Sequence, residues 1–279
     1  MTPLYAVLLG ALQGATEFLP ISSSGHLALA QHFLGIDGAE GSAVAFDVVL
    51  HVGTLLAVIL VYRESLIALA RATLGALRQA SSYRRPVATL GGSEELRLLL
   101  ALALGSIPTA AIGLLFQEPL EGLFDRPAVV ASMLLVTGAL LALPAVLRVR
   151  PREERVVAPW QALLVGAIQG LAITPGISRS GSTISVALLL GLAPGLAARF
   201  SFLLSIPAIL GALALKLPDL DLAEIAPLAL AAGFVTSFAV GWGALVVLLA
   251  VLRRGRFSLF AIYCCALGVA VLAWLRFAP

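Results

Sequence analysis

Glu17, Ser23, His26 and Arg179 are the side chains of this 279-residue chain whose types and surroundings could do chemistry. They fall in two short stretches, QGATEFLPISSSGH (Gln13 to His26) and QGLAITPGISRSGST (Gln169 to Thr183), which read as degenerate copies of one another. Both begin G-A-[LI]-Q-G, at Gly10 to Gly14 and Gly166 to Gly170, and both end I-S-x-S-G, at Ile21 to Gly25 and Ile177 to Gly181, with an offset of 156 positions. The first copy supplies a hydroxyl, a base and an orienting group, which is what activation of a serine requires. The second supplies a guanidinium among glycines and hydroxyls, which is good material for holding a phosphate.

Glu17 is followed by Phe18, Leu19 and Pro20. An ionised carboxylate there is expensive unless it faces water, a metal or a partner. Gln13 lies one helical turn earlier, so the i to i+4 spacing puts both on one helix face, where the amide oxygen can bind a metal or the amide can orient the carboxylate. Ser22, Ser23, Ser24 and Gly25 form a polar turn with His26 opening the next segment; at least one of these serines is expected to be an ordinary N-cap. Arg179 needs a buried anion or an anionic substrate. A pairing with Glu17 would be a closed form of the same site. Around it, Gly176 and Gly181 permit tight backbone, while Ser178, Ser180, Ser182 and Thr183 offer hydroxyls and nearby amides. His51 shares a helix face with Asp47 at i to i+4; packing or hydrogen bonding is the preferred reading there, ahead of direct chemistry.

The elements that must carry these residues are set by solvent. The chain is 60% hydrophobic and 12% charged, with mean hydropathy +1.04, far from the balance of a soluble domain. It reads as an all-α polytopic membrane protein. Six apolar segments, Val44 to Tyr62, Leu98 to Phe116, Ala128 to Leu147, Phe200 to Leu217, Ile225 to Leu252 and Leu259 to Leu275, are each long enough to cross roughly 30 Å of hydrocarbon as a helix. Four shorter ones flank the two motifs: Leu4 to Leu19 with Gly25 to Leu34, and Trp160 to Ile173 with Ser182 to Leu190. Proline, glycine and serine interrupt each pair, so each is expected to be a re-entrant helical hairpin, with its freed peptide groups satisfied by protein or a water-filled cavity. A signal peptide is disfavoured for the first segment. It lacks a basic N-terminal region and runs directly into the Glu17 motif.

Charge orients the chain. Arg63, Arg71, Arg78, Arg84, Arg85 and Arg97 sit in a loop expected from Arg63 to Arg97, and Arg148, Arg150, Arg152, Arg155, Arg199, Arg253, Arg254 and Arg256 in later ones; the positive-inside rule makes these cytoplasmic. The other connections are acidic: Asp37 and Glu40; Glu118, Glu121 and Asp125; Asp219, Asp221 and Glu224. Both termini are therefore expected outside, and with three crossings per half the two repeats, 1–147 and 148–279 of a single membrane domain, have inverted topology. The two hairpins would then enter from opposite faces and meet near mid-membrane. FDVVLHVGTLLA from Phe46 echoes FSFLLSIPAILG from Phe200 in the same sense. The net charge of +3 reflects this topological bias and gives no reason to invoke nucleic acid. Cys264 and Cys265, adjacent in the last segment, cannot form an ordinary disulfide and read as apolar packing residues.

QGATEFLPISSSGH together with PGISRSGST closely resembles the paired signature motifs of the undecaprenyl-diphosphate phosphatase family, also called the bacitracin-resistance protein family, and the resemblance runs over essentially the whole chain. It implies a polytopic inner-membrane enzyme that removes one phosphate from undecaprenyl diphosphate at the outer face and so recycles the lipid carrier for cell-wall synthesis. It also implies roles: Glu17 as acidic motif residue and metal ligand, Ser23 as nucleophile, His26 as motif histidine and Arg179 as phosphate-binding arginine. Gln13, Ser22, Ser24, Gly176, Ser178, Ser180, Ser182 and Thr183 would line the substrate. Gln13 stands where many members have glutamate, which weakens any mechanism needing two carboxylates on that helix. Mg2+, with Ca2+ as a substitute, is implied as cofactor. Either Glu17 or His26 would take the Ser23 proton, or a directly activated water would attack with Ser23 as a phosphate ligand. Expected partners are the polyprenyl diphosphate and membrane lipids, with a homodimer as the one protein assembly the reading admits. The competing class is a secondary transporter or a flippase for undecaprenyl phosphate or a related phosphorylated lipid, since inverted repeats and broken helices are usual there too.

Overall fold

The computed structural model describes residues 2–34, 41–82, 93–150, 156–219 and 225–277, and every regular element among them is helical. In chain order these are α1 (Pro3–Phe18), α2 (Ser23–Leu34), α3 (Gly41–Val61), α4 (Arg63–Ser82), α5 (Glu94–Glu121), α6 (Pro127–Val146), α7 (Pro159–Leu171), α8 (Arg179–Leu189), α9 (Pro194–Lys216), α10 (Pro227–Arg253) and α11 (Leu259–Phe277). Asp37, Glu40, Arg84, Arg85, Arg152, Arg155, Asp221 and Glu224, used above to orient the chain, lie outside the described residues. Proline opens α1, α6, α7, α9 and α10, where its fixed φ suits the first turn and its missing N–H costs nothing.

Among the described residues, five helices, α5, α6, α9, α10 and α11, are long and apolar enough to cross a membrane. The other expected span, Val44 to Tyr62, is α3, which qualifies only together with α4, and the pair is bent by 72°. Large apolar side chains stay exposed along these helices, among them Leu114, Leu115, Val235, Ile262 and Val269. That is a surface suited to lipid. The chain is a multi-pass α-helical membrane protein.

One expectation is corrected outright: the arginine-bearing segment after residue 63 is a helix over 63–82, not a loop. Its arginines carry the charge pattern of a loop, but Leu66 and Leu69 recur at helical spacing and pack into the cluster that holds Leu98, Leu102 and Leu203. An amphipathic helix buries such a stripe while keeping its cations on the other face.

The site's scaffold is set by which helices pack. α1 and α3 both run along α10, α7 runs along α5, α6 runs along α11, and α8 sits between α6, α7 and α9. Phe18, at the end of α1, is buried in a cluster with Ile184 of α8, Phe202 of α9 and Leu245 of α10, and its ring meets Phe202 edge-on at 5.8 Å. The four residues between α1 and α2 and the stretch between α7 and α8 are thereby held in the protein interior.

Candidate functional site

Each motif break is built by a serine that caps the following helix. Ser178 precedes α8 in an extended conformation, and its Oγ accepts from the Gly181 amide at 3.1 Å. Ser22 accepts from the Gly25 amide at 3.2 Å, although Ser22 stands at φ +70°, a left-handed conformation uncommon outside glycine. In both breaks the next-but-one serine lies beside the capping hydroxyl, Ser24 Oγ at 3.3 Å and Ser180 Oγ at 3.4 Å. The two breaks touch. A Cβ on Gly25 would sit 3.0 Å from the Gly176 Cα, and Ser180 donates across to the carbonyl of Phe18 at 3.1 Å, satisfying a terminal acceptor of α1. Gly176 itself has φ +93° and lies against the Val130 carbonyl, where no other residue type fits without displacement.

Glu17 is the centre of the arrangement and is 7% exposed. One carboxylate oxygen pairs with the Arg179 guanidinium. The other accepts from Ser23 Oγ at 2.7 Å and from Gln13 Nε2 at 3.1 Å, and His51 Nε2 approaches it at 3.9 Å. A buried carboxylate with an ionic partner and several donors is the arrangement that makes such a charge tolerable. Gln13 Oε1, fully buried beside it, has no hydrogen-bond partner.

The structure thus brings Gln13, Glu17, Ser23 and Arg179 into one cluster. His26 is placed differently. Its Nδ1 faces the Ser22 carbonyl at 2.7 Å and its Nε2 the Tyr263 hydroxyl at 2.7 Å, with the two rings nearly parallel. A carbonyl only accepts, so Nδ1 carries the proton and Nε2 takes the tyrosine's. Both ring nitrogens are therefore engaged away from Ser23. Ser182 and Thr183 donate to the Arg179 carbonyl at 3.2 and 2.7 Å, Thr183 Oγ1 also bonds Ser201 Oγ, and the Ser178 amide donates to Thr137 Oγ1 at 3.0 Å. Thr137 also donates to the Gly176 carbonyl at 2.8 Å, pinning the second break to α6.

Three neighbours of the site carried little or no signal in the sequence. Thr137 and Tyr263 lie in apolar stretches far from either motif, and only packing reveals them. His51, read as a packing or hydrogen-bonding residue, does bond its own helix, Nδ1 to the Asp47 carbonyl at 2.8 Å, but its other nitrogen turns to Glu17. Among the described residues, no group of three His, Cys, Asp or Glu side chains could hold a metal by itself.

The fold and this centre define a class: polytopic helical membrane proteins in which two broken helix pairs join a carboxylate and a serine from one with an arginine from the other. The chain belongs to the bacitracin resistance protein BacA family, whose model matches residues 6–270. Among similar proteins are the undecaprenyl-diphosphatases of Desulfosudis oleivorans, 45% identical with 99% of each chain covered, of Syntrophotalea carbinolica, 44% identical over 96% of this chain and 97% of the relative, and of Korarchaeum cryptofilum, 41% identical over 97% and 98%.

Proposed function

We infer that this protein hydrolyses undecaprenyl diphosphate to undecaprenyl phosphate and inorganic phosphate, recycling the lipid carrier at the outer face of the cytoplasmic membrane. The family and its undecaprenyl-diphosphatase relatives support the substrate. The observation that carries the chemistry is Glu17, held between the Arg179 guanidinium and the Ser23 hydroxyl. A diphosphate entering the cluster draws Arg179 toward its terminal phosphoryl oxygens, and Glu17, relieved of that partner, is left on Ser23 as a base. Glu17 takes the Ser23 proton as Oγ bonds to the terminal phosphorus. The bridging P–O bond breaks and undecaprenyl phosphate leaves with the electron pair. Water then attacks the phosphoserine, the P–Oγ bond breaks, the water's proton passes to Ser23 Oγ, and phosphate is released. The Ser23 to Glu17 hydrogen bond favours this order over a directly activated water, for which Ser23 would be only a ligand.

The residues present fit a divalent cation. Mg2+ is held by one or two carboxylates together with substrate phosphates, and Glu17 with the unpartnered oxygen of Gln13 would hold Mg2+, or Ca2+ in its place. When bound, such an ion would neutralise charge on the diphosphate.

The topology proposed is six spans and two re-entrant hairpins in inverted repeats, 1–147 and 148–279, with both termini outside. The packing supports it. Gly10 of α1 abuts Gly233 of α10, with 2.7 Å from an added Cβ to its carbonyl, and Gly166 of α7, its counterpart 156 positions on, abuts Gly105 of α5. The first helix of each half thus lies on a helix of the other half, through the same glycine of the repeat. The phosphate donors would be Arg179 and amides at the start of α8, with Ser22, Ser24, Ser178, Ser180, Ser182 and Thr183 shaping the cradle.

Phosphate release from undecaprenyl diphosphate by purified protein in detergent, with and without Mg2+, tests the reading. Metal-dependent release that disappears in folded Glu17→Gln and Arg179→Ala variants is the expected result. A folded wild-type protein that releases none across several metals and lipids overturns it in favour of a phosphorylated-lipid transporter.

A further inference from the structure

Arg179 is the cation on which the chemistry turns, and the backbone just before it is held by a side chain that takes no part in that chemistry. Thr137, on α6, is buried. Its Oγ1 donates to the Gly176 carbonyl at 2.8 Å and accepts from the Ser178 amide at 3.0 Å. One hydroxyl thus satisfies an acceptor and a donor on either side of Ile177. Both peptide groups lie between α7 and α8, outside any helix, and at membrane depth such groups need a partner within the protein. The same face of α6 closes the turn from one side: Val130 and Met133 lie against Gly176, and a Cβ there would meet the Val130 carbonyl. The turn, at φ +93°, therefore has a wall beside it and two hydrogen bonds holding it there.

This clamp is mounted on the helix pair that also holds the first break. α6 packs along α11 through Gly138 and Gly268, where an added Cβ would meet Cys265 and, at 2.8 Å, the Ala131 carbonyl. From α11, Cys264 donates to the Pro20 carbonyl at 3.6 Å and Tyr263 donates to His26 Nε2 at 2.7 Å. One pair of helices grips both breaks, the second through Thr137.

We propose that Thr137 is a positioning residue: by clamping Gly176 and Ser178 to α6 it sets where the Arg179 guanidinium stands relative to Glu17 and to the terminal phosphoryl group of the diphosphate. The proposal rests on the phosphatase reading. Valine has the shape of threonine without the hydroxyl, so Thr137→Val strands a buried carbonyl and a buried amide. They regain partners only if the turn rotates away from α6, and Arg179, one residue beyond the clamp, moves with it. A displacement on the order of 1 Å at a group that holds substrate costs about 10²-fold in rate. Serine keeps the hydroxyl and with it both bonds.

The test is phosphate release from undecaprenyl diphosphate by wild type, Thr137→Val and Thr137→Ser, each assayed well below its own melting temperature. Thr137→Val is expected to lose about 10²-fold in kcat/KM and Thr137→Ser to stay within about threefold of wild type. A folded Thr137→Val with unchanged kcat/KM overturns the proposal, as does a serine variant as impaired as the valine one. If valine prevents folding, Thr137→Cys decides, because a thiol is a weaker donor and acceptor: about tenfold below serine is expected, and a rate equal to serine's overturns the proposal. A second measurement needs no turnover. Melting temperatures of Glu17→Gln, Arg179→Ala and the double variant give the coupling of the ion pair, measured in the wild-type, Thr137→Val and Thr137→Ser backgrounds. The coupling is expected to fall by about half or more with valine and to return with serine. A merely structural threonine would lower every melting temperature alike and leave the coupling unchanged, and that result overturns the proposal. Should wild type release no phosphate, the phosphatase reading fails on that result alone, while the melting cycle still decides whether Thr137 sets the Arg179 to Glu17 pair.

Discussion

The two motif breaks have the same skeleton and opposite chemistry. Ser22 and Ser178 cap the following helix with hydrogen bonds of 3.2 and 3.1 Å, each to the amide three residues on, and in each the residue four on donates its amide to the capping serine's carbonyl. At positions matched 156 apart in the repeat, however, Glu17 corresponds to Ile173, Ser23 to Arg179 and His26 to Ser182. Gln13 gives its amide to Glu17, whereas Gln169 gives its amide to the Leu204 carbonyl and Thr109. A duplicated cap can thus be kept for its geometry while the positions beside it diverge. Ser23 and Arg179, which occupy the same place in the repeat, come to the same carboxylate from opposite sides. One break contributes the carboxylate and hydroxyl, the other the cation.

The strongest way to break this comparison is to remove the shared ion. Glu17→Gln and Arg179→Ala are each expected to lower phosphate release by about 10²–10³-fold or more. Arg179→Ala is also expected to destabilise by up to about 3–5 kcal/mol, because a buried carboxylate loses its ionic partner, and the double variant by less than the sum of the two. Thermal unfolding of all three in one detergent checks it; additive losses would mean that the pair is not a unit.

Matched substitutions sharpen the division of labour. Ser23→Ala is expected to abolish turnover, a loss on the order of 10³ or more, with stability little changed. Ser178→Ala, one position before Ser23's counterpart, is expected to cost about 1 kcal/mol through the lost cap with most activity kept. Kinetics and melting on the two variants separate the roles, and comparable activity losses would show the second break to be chemical as well as structural.

Gly176→Ala combines a left-handed backbone with the Val130 carbonyl in the path of the new methyl. A loss of about 2 kcal/mol or more is expected in unfolding experiments. The smallest effect is at Tyr263→Phe, where the hydroxyl that engages His26 Nε2 at 2.7 Å is removed. About 1 kcal/mol is expected, and a large drop in kcat instead would bring His26 back as a catalytic group.

The helix breaks, the long apolar helices and the identities of Gln13, Glu17, Ser23 and Arg179 as the reactive groups were legible because each rests on a local rule: apolar length, proline and serine at a break, and the high cost of a charge in apolar surroundings. Where local rules competed, the reading failed. The segment at 63–82 carries enough arginine to look like a loop, yet Leu66 and Leu69 find a partner face on α5, and that partner is visible only in three dimensions. His51 showed its own helix neighbour, Asp47, at i to i+4; the Glu17 side chain it turns to is 34 positions away.

By itself the sequence determined the solvent, the positions of both breaks and the inventory of reactive groups, since hydropathy, capping and the scarcity of charge in an apolar chain act over a few residues at a time. Tertiary structure decided which of those groups meet. The Glu17 to Arg179 pair spans 162 positions, and Gly25 reaches Gly176 only because Phe18 and Ser180 lock the two breaks together. It also decided that His26 turns to Tyr263 and His51 to Glu17, because a side chain's partner across a helix interface depends on how two helix faces are packed, and no local rule specifies that.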